Sequence, residues 1–338
     1  MLEIGSEFWK TDCSEKKNTL FSAKVKWFLS GQNALNYIIA DIKSKYYVKS
    51  IALPSWCCDS IIIPFIINKF AIQFYDVIIE NGKLKQEVNL QCDVILVMDY
   101  FGYETKYDFS FYKGIVIRDM THSLLIKKYV DADYYFGSLR KWSGIYTGGY
   151  AWCNEEWKTS IEILEVNKKY VDLRKKAMEQ KEKYIQGETK SKVYLSLFAD
   201  AEEILDKINL KGVYSAEKID ILSAQFLDVN KIKEKRRKNV ERLLKDISAF
   251  ALFPVLGEKD CPLFVPIIVE KRDELKHFLI KNSVYCPSHW PISKYHVLNK
   301  KTRVLYDKEL SIVCDQRYSE EDMEKIIYLI KKSTIVDI

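Results

Sequence analysis

Apolar residues recur along the first half of the chain in two different rhythms. Between Gln32 and Lys45, Ala34, Leu35, Ile38, Ile39 and Ile42 follow helical spacing and predict a helix with one apolar face. The segments 48–54 (VKSIALP), 71–77 (AIQFYDV), 93–100 (DVILVMDY), 114–119 (GIVIRD), 132–138 (ADYYFGS) and 148–153 (GGYAWC) are instead short and nearly continuous in apolar residues. A strand covered on both faces needs no polar side. These runs therefore predict an α/β fold with a mainly parallel sheet covered by helices. A second helix is predicted near Asp59 to Lys69, beyond the stop at Pro54.

The pattern changes from about 155 to 246, where long segments are charged and helically periodic, as in KIKEKRRKNVERLLKDI. Their charges read as solvated helix faces. Pro254 and Pro262 then introduce a smaller α+β unit. It has a predicted strand at 263–269, a helix over Lys271 to Lys281 and a closing helix over Ser319 to Lys332. Ser319 and Asp322 are spaced as an acidic capping box. The expected organisation is a large α/β domain over 1–250 and a small C-terminal α+β domain over 251–338.

Composition narrows the function classes. The chain has 338 residues, 48% hydrophobic and 30% charged, which is the profile of an ordinary globular protein. Its net charge of +6 comes with no compact basic block interleaved with aromatics, so no nucleic-acid partner is expected. The longest apolar run, SIIIPFIINKF, is too short to span a bilayer and contains Pro64. The start, MLEIGSEFWK, has no apolar signal region, and a cytoplasmic protein is expected. None of the eight cysteines forms a C-x-x-C pair. They read as small buried hydrophobes in a reducing compartment, with neither a disulfide frame nor a metal site.

In open parallel sheets, ligands sit beyond the carboxyl ends of the strands. Asp119 ends one predicted strand and Lys141 follows another. Pyridoxal phosphate requires such a pair: a lysine amine to hold its aldehyde, and a carboxylate to keep its pyridine nitrogen protonated. Its phosphate needs backbone N–H groups at a helix start, and LSGQNAL supplies a Ser-Gly turn into a helix. Taken singly, the pair is also an ordinary surface ion pair and the turn an ordinary helix start.

The order of motifs adds to this. LSGQNALNYII, IALPSWCCDSIIIPFI, FYDV, DYFGY, IRDMTHS, YYFGSLRKWSGIYTGG and VYCPSHWP run through most of the chain, with weak matching between about 155 and 210. In this order they resemble the DegT/DnrJ/EryC1/StrS family, the sugar aminotransferase-like enzymes of pyridoxal-phosphate fold type I. The resemblance implies that Lys141 is the Schiff-base lysine and proton shuttle and that Asp119 pairs with the pyridine nitrogen. His122 would contact the ring hydroxyl. Gly31, Gln32 and Asn33 would receive the phosphate on backbone N–H groups, with the Ser138 hydroxyl adding a contact. The family's ring-stacking aromatic position falls on Cys58, with Trp56 two residues earlier as the other candidate. His289, Trp290, Arg303 and Arg317 are candidates to close over the substrate, an arginine clamping a donor carboxylate. The family's Asn-Tyr-Arg signature, which reaches the neighbouring subunit's phosphate, has no counterpart here.

The resemblance implies a homodimer and an aminotransferase. An amino acid such as glutamate would be the donor, and a keto sugar, nucleotide-linked in the family, the acceptor. Elimination or aldol cleavage on the same scaffold, and a non-catalytic cofactor-binding descendant, are the alternatives. The presence of Lys141 argues against the family's sugar dehydratase branch, where histidine replaces it.

Overall fold

The short apolar runs form one sheet, most of them buried on both faces, while 71–77 alternates between exposed and covered positions. A computed structural model describes residues 3–21, 24–80, 83–88, 91–104, 112–126 and 132–335. In chain order the first strands and helices are β1 (Ile4–Gly5), β2 (Lys26–Phe28), α1 (Gly31–Lys45), β3 (Ser50–Pro54), α2 (Asp59–Ile67), β4 (Ala71–Glu80) and β5 (Lys83–Glu87). Then come β6 (Val94–Met98), β7 (Ile115–Asp119), β8 (Tyr134–Ser138) and β9 (Gly149–Cys153). The eight-stranded sheet has the order β2-β9-β8-β7-β6-β3-β4-β5. Strands β4, β3, β6, β7 and β8 run parallel, while β9, β2 and β5 join antiparallel towards the edges.

Register decides what meets at the carboxyl edge. Met98 pairs with Asp119, and Asp119 with Phe136, so the acid sits at the end of a central strand. Ser138 pairs with Gly149 at the end of the next one. A single turn of 3-10 helix (Leu139–Lys141) follows directly and carries Lys141.

The charged stretch resolves into β10 (Ile163–Leu164), α3 (Lys168–Ile185), α4 (Tyr194–Asn209), β11 (Val213–Tyr214), α5 (Lys218–Gln225) and α6 (Val229–Ile247). The remaining elements are β12 (Phe264–Ile268), α7 (Arg272–Lys281), β13 (Val284–Tyr285), α8 (Lys300–Lys308), β14 (Glu309–Val313) and α9 (Glu320–Lys332). Strands β12 and β14 pair antiparallel, and the Ser319–Asp322 capping box forms at the start of α9. Helix α6, expected in the first 250 residues, packs Val240, Leu243 and Ile247 into the core around Val265, Leu275 and Ile326. Its apolar stripe matches that core, and Ile4 joins it from the N-terminus, where β1 pairs with β13.

Among the described residues no helix is long and apolar enough to cross a membrane. All eight cysteines are free. Five are buried as expected, but Cys13 is exposed and Cys58 and Cys92 are half-buried. No metal-binding group of His, Cys, Asp or Glu occurs among the described residues.

Candidate active site

The carboxyl edge of the sheet and the C-terminal unit enclose Lys141 between them. Its Nζ lies 3.1 Å from Nε2 of His122 and 6.0 Å from the ring centre of Trp290, which stacks on His122 at 5.6 Å. Nδ1 of His122 accepts the amide of Phe101 at 3.4 Å. A neutral imidazole with Nδ1 as acceptor carries its hydrogen on Nε2. That hydrogen faces the lysine nitrogen, which accepts it only as a neutral amine. Burial pushes the Lys141 ammonium below the usual lysine range, although Cys58 and Asp119 pull the other way. Burial, then Lys141, lowers His122 well below the usual imidazole value.

Asp119 is buried, and its Oδ1 accepts the Thr121 amide at 2.8 Å. Burial raises its carboxyl above the usual range, with the Thr121 hydrogen bonds and Lys141 opposing. Below it, Asp99 is clasped by Arg118 at 2.8 and 2.9 Å and by the Ser123 hydroxyl at 2.5 Å. These contacts hold the ends of β6 and β7 together.

Helix α1 begins beside the Ser138 end of β8. A Cβ added at Gly31 would stand 3.4 Å from the Cβ of Ser138, so a side chain there would narrow the gap between helix start and strand end. Ser30 caps the helix through the Asn33 amide at 3.1 Å, which removes Asn33 as a donor to a ligand. The Asn33 side chain is also spent, on Asn209 and the Tyr214 amide. The first-turn amides of Gly31 and Gln32 have no intrahelical acceptor and remain available, next to the Ser138 hydroxyl. Gln32 Oε1 accepts from Asn209 Nδ2 at 3.2 Å, a contact that steadies the turn.

His289 faces the same space. The hydroxyl of Ser311 donates to Glu309 at 2.5 Å, so Nδ1 of His289 donates to Ser311 Oγ at 2.9 Å and Nε2 keeps its lone pair. A cavity of about 450 Å³ is bordered by Lys141, His289, Arg140, Arg236, Glu7 and Arg317, among others. Arg140, beside Lys141, is held by Glu202 at 2.9 Å and by the Tyr170 hydroxyl at 2.5 Å. The charged helices α3 and α4 thereby brace the lysine segment.

Besides Asn33, whose amide the Ser30 cap takes, three further expectations meet a different geometry. Trp56 is fully buried, stacked on Tyr100 at 5.0 Å, with Nε1 donating to the His289 carbonyl at 2.7 Å. It packs behind the site, whereas half-buried Cys58 lies close enough for Lys141 and Asp119 to act on its thiol. Arg303 stands on the exposed side of α8, facing Asp307 at 3.4 Å and away from the cavity. Arg317 borders the cavity, but Asp315 takes its Nε and Nη2 at 2.8 Å each and the Glu7 carbonyl takes Nη1 at 2.9 Å. Sequence reading missed Arg236. The available signal was an arginine on the apolar stripe of α6, in phase with Ile232, Val240 and Leu243.

The donor set fits pyridoxal phosphate. It offers a half-buried amine, a buried carboxylate at a neighbouring strand end, and a helix start with uncommitted amides beside a serine hydroxyl. No protein-family model and no curated protein sequence matches the chain. Solved structures do. A DegT DnrJ EryC1 StrS aminotransferase from Brucella abortus aligns at 15% identity and TM-score 0.61, over 91% of this chain and 85% of that one. PseC from Helicobacter pylori, an aminotransferase involved in the biosynthesis of pseudoaminic acid, aligns at 14% identity and TM-score 0.62, over 97% and 99%. The sugar aminotransferase CalS13 from Micromonospora echinospora aligns at 11% identity and TM-score 0.59, over 91% and 87%. Such likeness establishes architecture, and this chain has the fold of the DegT/DnrJ/EryC1/StrS sugar aminotransferases, pyridoxal-phosphate fold type I.

Proposed function

We propose that the chain is a pyridoxal-phosphate-dependent aminotransferase that moves an amino group from an amino acid to a keto sugar. The observation that carries this reading is the half-buried Lys141 amine, 3.1 Å from His122 and following the strand next to the one that ends in Asp119. When bound, pyridoxal phosphate supplies an aldehyde for the amino group and a ring that takes up electrons from the substrate carbon.

The chain's residues would divide the work. Lys141, whose ammonium form burial disfavours and whose Nζ faces His122, would attach the cofactor and later carry a proton at Nζ. Asp119 holds the pyridine nitrogen protonated, and its buried setting strengthens that contact. The Gly31 and Gln32 amides and the Ser138 hydroxyl hold the phosphate. His289 Nε2 offers an acceptor to a substrate hydroxyl or ammonium. Trp290 and His122 form an aromatic wall that keeps water from the amine.

A two-fold homodimer in the cytoplasm is part of the same reading, as the resemblance implies. The test is the first half of the reaction. With cofactor bound, L-glutamate alone should release one equivalent of 2-oxoglutarate per site and bleach the visible colour. Glutamine, alanine and aspartate belong in the same screen. Colour that persists with every donor, in protein whose Lys141 is linked to the cofactor, contradicts an aminotransferase.

A further inference from the structure

Glu309 opens β14, the apolar run ELSIV, and its side chain is fully buried. Among the described residues no lysine or arginine comes within 4.0 Å of its carboxylate. Nδ1 of His289 stands 3.9 Å from Oε1, too far for a hydrogen bond. Instead Oε2 accepts the His289 amide at 2.7 Å, and Oε1 accepts the Ser311 hydroxyl at 2.5 Å. A carboxylate buried without a lysine or arginine is costly. This one spends both oxygens on the two groups that hold His289.

The hydrogens along this line run in one direction. Ser311 has a single hydroxyl hydrogen and Glu309 takes it, so Ser311 Oγ accepts from Nδ1 of His289 at 2.9 Å. A neutral ring then carries no hydrogen on Nε2. Its plane is fixed as well, by Phe101 and Phe264 with centres at 5.3 Å and by Trp290 at 5.1 Å. His289 borders the cavity of Lys141, and among the described residues no group donates to Nε2 or accepts from it. Burial lowers His289 below the usual imidazole value, with Glu309 opposing and Lys141 and Lys276 adding to it. The ring is therefore neutral near neutral pH.

We propose that Glu309 is a positioning residue: acting through Ser311, it fixes the His289 tautomer so that a lone pair, not a hydrogen, faces the bound substrate. The proposal deepens the function given above and rests on it for what occupies the cavity. A lone pair at this place takes a hydrogen from a substrate hydroxyl or ammonium. A ring turned to the other tautomer would set two hydrogens against each other and reject that group. The negative charge at position 309 makes the difference. A glutamine there would have to present its carbonyl oxygen to the His289 amide. Its NH2 group would then point at Ser311 Oγ, freeing the Ser311 hydroxyl to donate to Nδ1. The ring hydrogen would move to Nε2.

The experiment is nitrogen-15 NMR of the full-length protein with labelled histidine, near neutral pH, saturated with pyridoxal phosphate and again without it. The chain has four histidines, and His289→Gln identifies the signal in question. In wild type, Nδ1 of His289 should show the shift of a protonated ring nitrogen and Nε2 that of an unprotonated one, in both samples. Glu309→Gln should exchange the two. Ser311→Ala should leave Nδ1 without an acceptor, and both tautomers should appear. A Glu309 that only fills space predicts unchanged shifts in every variant that folds. A hydrogen on Nε2 in wild type overturns the proposal, as does an unchanged tautomer in folded Glu309→Gln. Should Glu309→Gln fail to fold, Ser311→Ala decides, and a single unchanged tautomer there overturns it. Because the tautomer is read with and without cofactor, a missing link at Lys141 defeats the aminotransferase reading, and only the tautomer defeats the role of Glu309.

Discussion

Nζ of Lys141 and Nε2 of His122 lie 3.1 Å apart, with the imidazole's other nitrogen turned to the Phe101 amide. The pair is satisfied when the amine is neutral and strained by repulsion when both are charged. Burial disfavours the ammonium, so its proton leaves at lower pH than from an exposed lysine. Reductive methylation of the cofactor-free protein, followed against pH by peptide mapping, should therefore show Lys141 half-reacting below the exposed value of about 10.4. A half-point at or above that value contradicts the neutral pair.

Asp119→Asn keeps nearly the same volume and removes a buried charge whose carboxyl is already raised by burial. Melting temperature should stay within a few degrees of wild type. Turnover should fall by about a hundredfold or more, the scale seen when a preorganised electrostatic partner is lost. Wild-type rates in the folded variant would show that Asp119 does not hold the cofactor ring.

Much of this site was legible because its residues stand at strand ends. The apolar runs ending in Asp119 and Ser138 fall within a residue or two of β7 and β8, and the Ser-Gly turn opens α1. What sequence reading lacked was lateral information. The antiparallel entry of β9 beside β8 depends on pairing between chains of residues that carry no directional signal. Strand β14 was missed because ELSIV contains Glu309, a carboxylate that is buried only through contacts with Ser311 and the His289 amide. The sequence offers Arg303 and Arg317 alike as candidates, yet their availability depends on partners that only the fold brings near.

Two arginines test that distinction. Arg303 is largely exposed and, among the described residues, paired only with Asp307, so Arg303→Ala should change stability by less than about 0.5 kcal/mol and leave activity intact. Arg317→Ala would strand the buried Asp315 carboxylate and should cost about 3–5 kcal/mol in urea unfolding. Equal effects of the two changes would contradict the partner assignments.

The N-terminal segment that borders the cavity is tied down by Lys181, which reaches Glu3 at 3.3 Å and the Glu7 carbonyl at 2.6 Å. Burial, with Arg317 nearby, brings the Lys181 ammonium down to about 8. Glu3 keeps Lys192 and the Tyr194 hydroxyl if Lys181 is removed. Lys181→Met should therefore cost about 1.5–3 kcal/mol, the scale of hydrogen bonds to a charged group, and should speed amide exchange at Ile4 and Gly5. Unchanged exchange at these two residues would show that β1 is held without Lys181, by its pairing with β13 and by the Tyr318 hydroxyl on the Gly5 amide.

The central claim is that Lys141 is the residue that carries the cofactor. Its most direct test is borohydride reduction of the protein saturated with pyridoxal phosphate, followed by peptide mapping. The account predicts one reduced pyridoxyl group per chain, on Lys141. A group on any other lysine, or none on saturated protein, would contradict it.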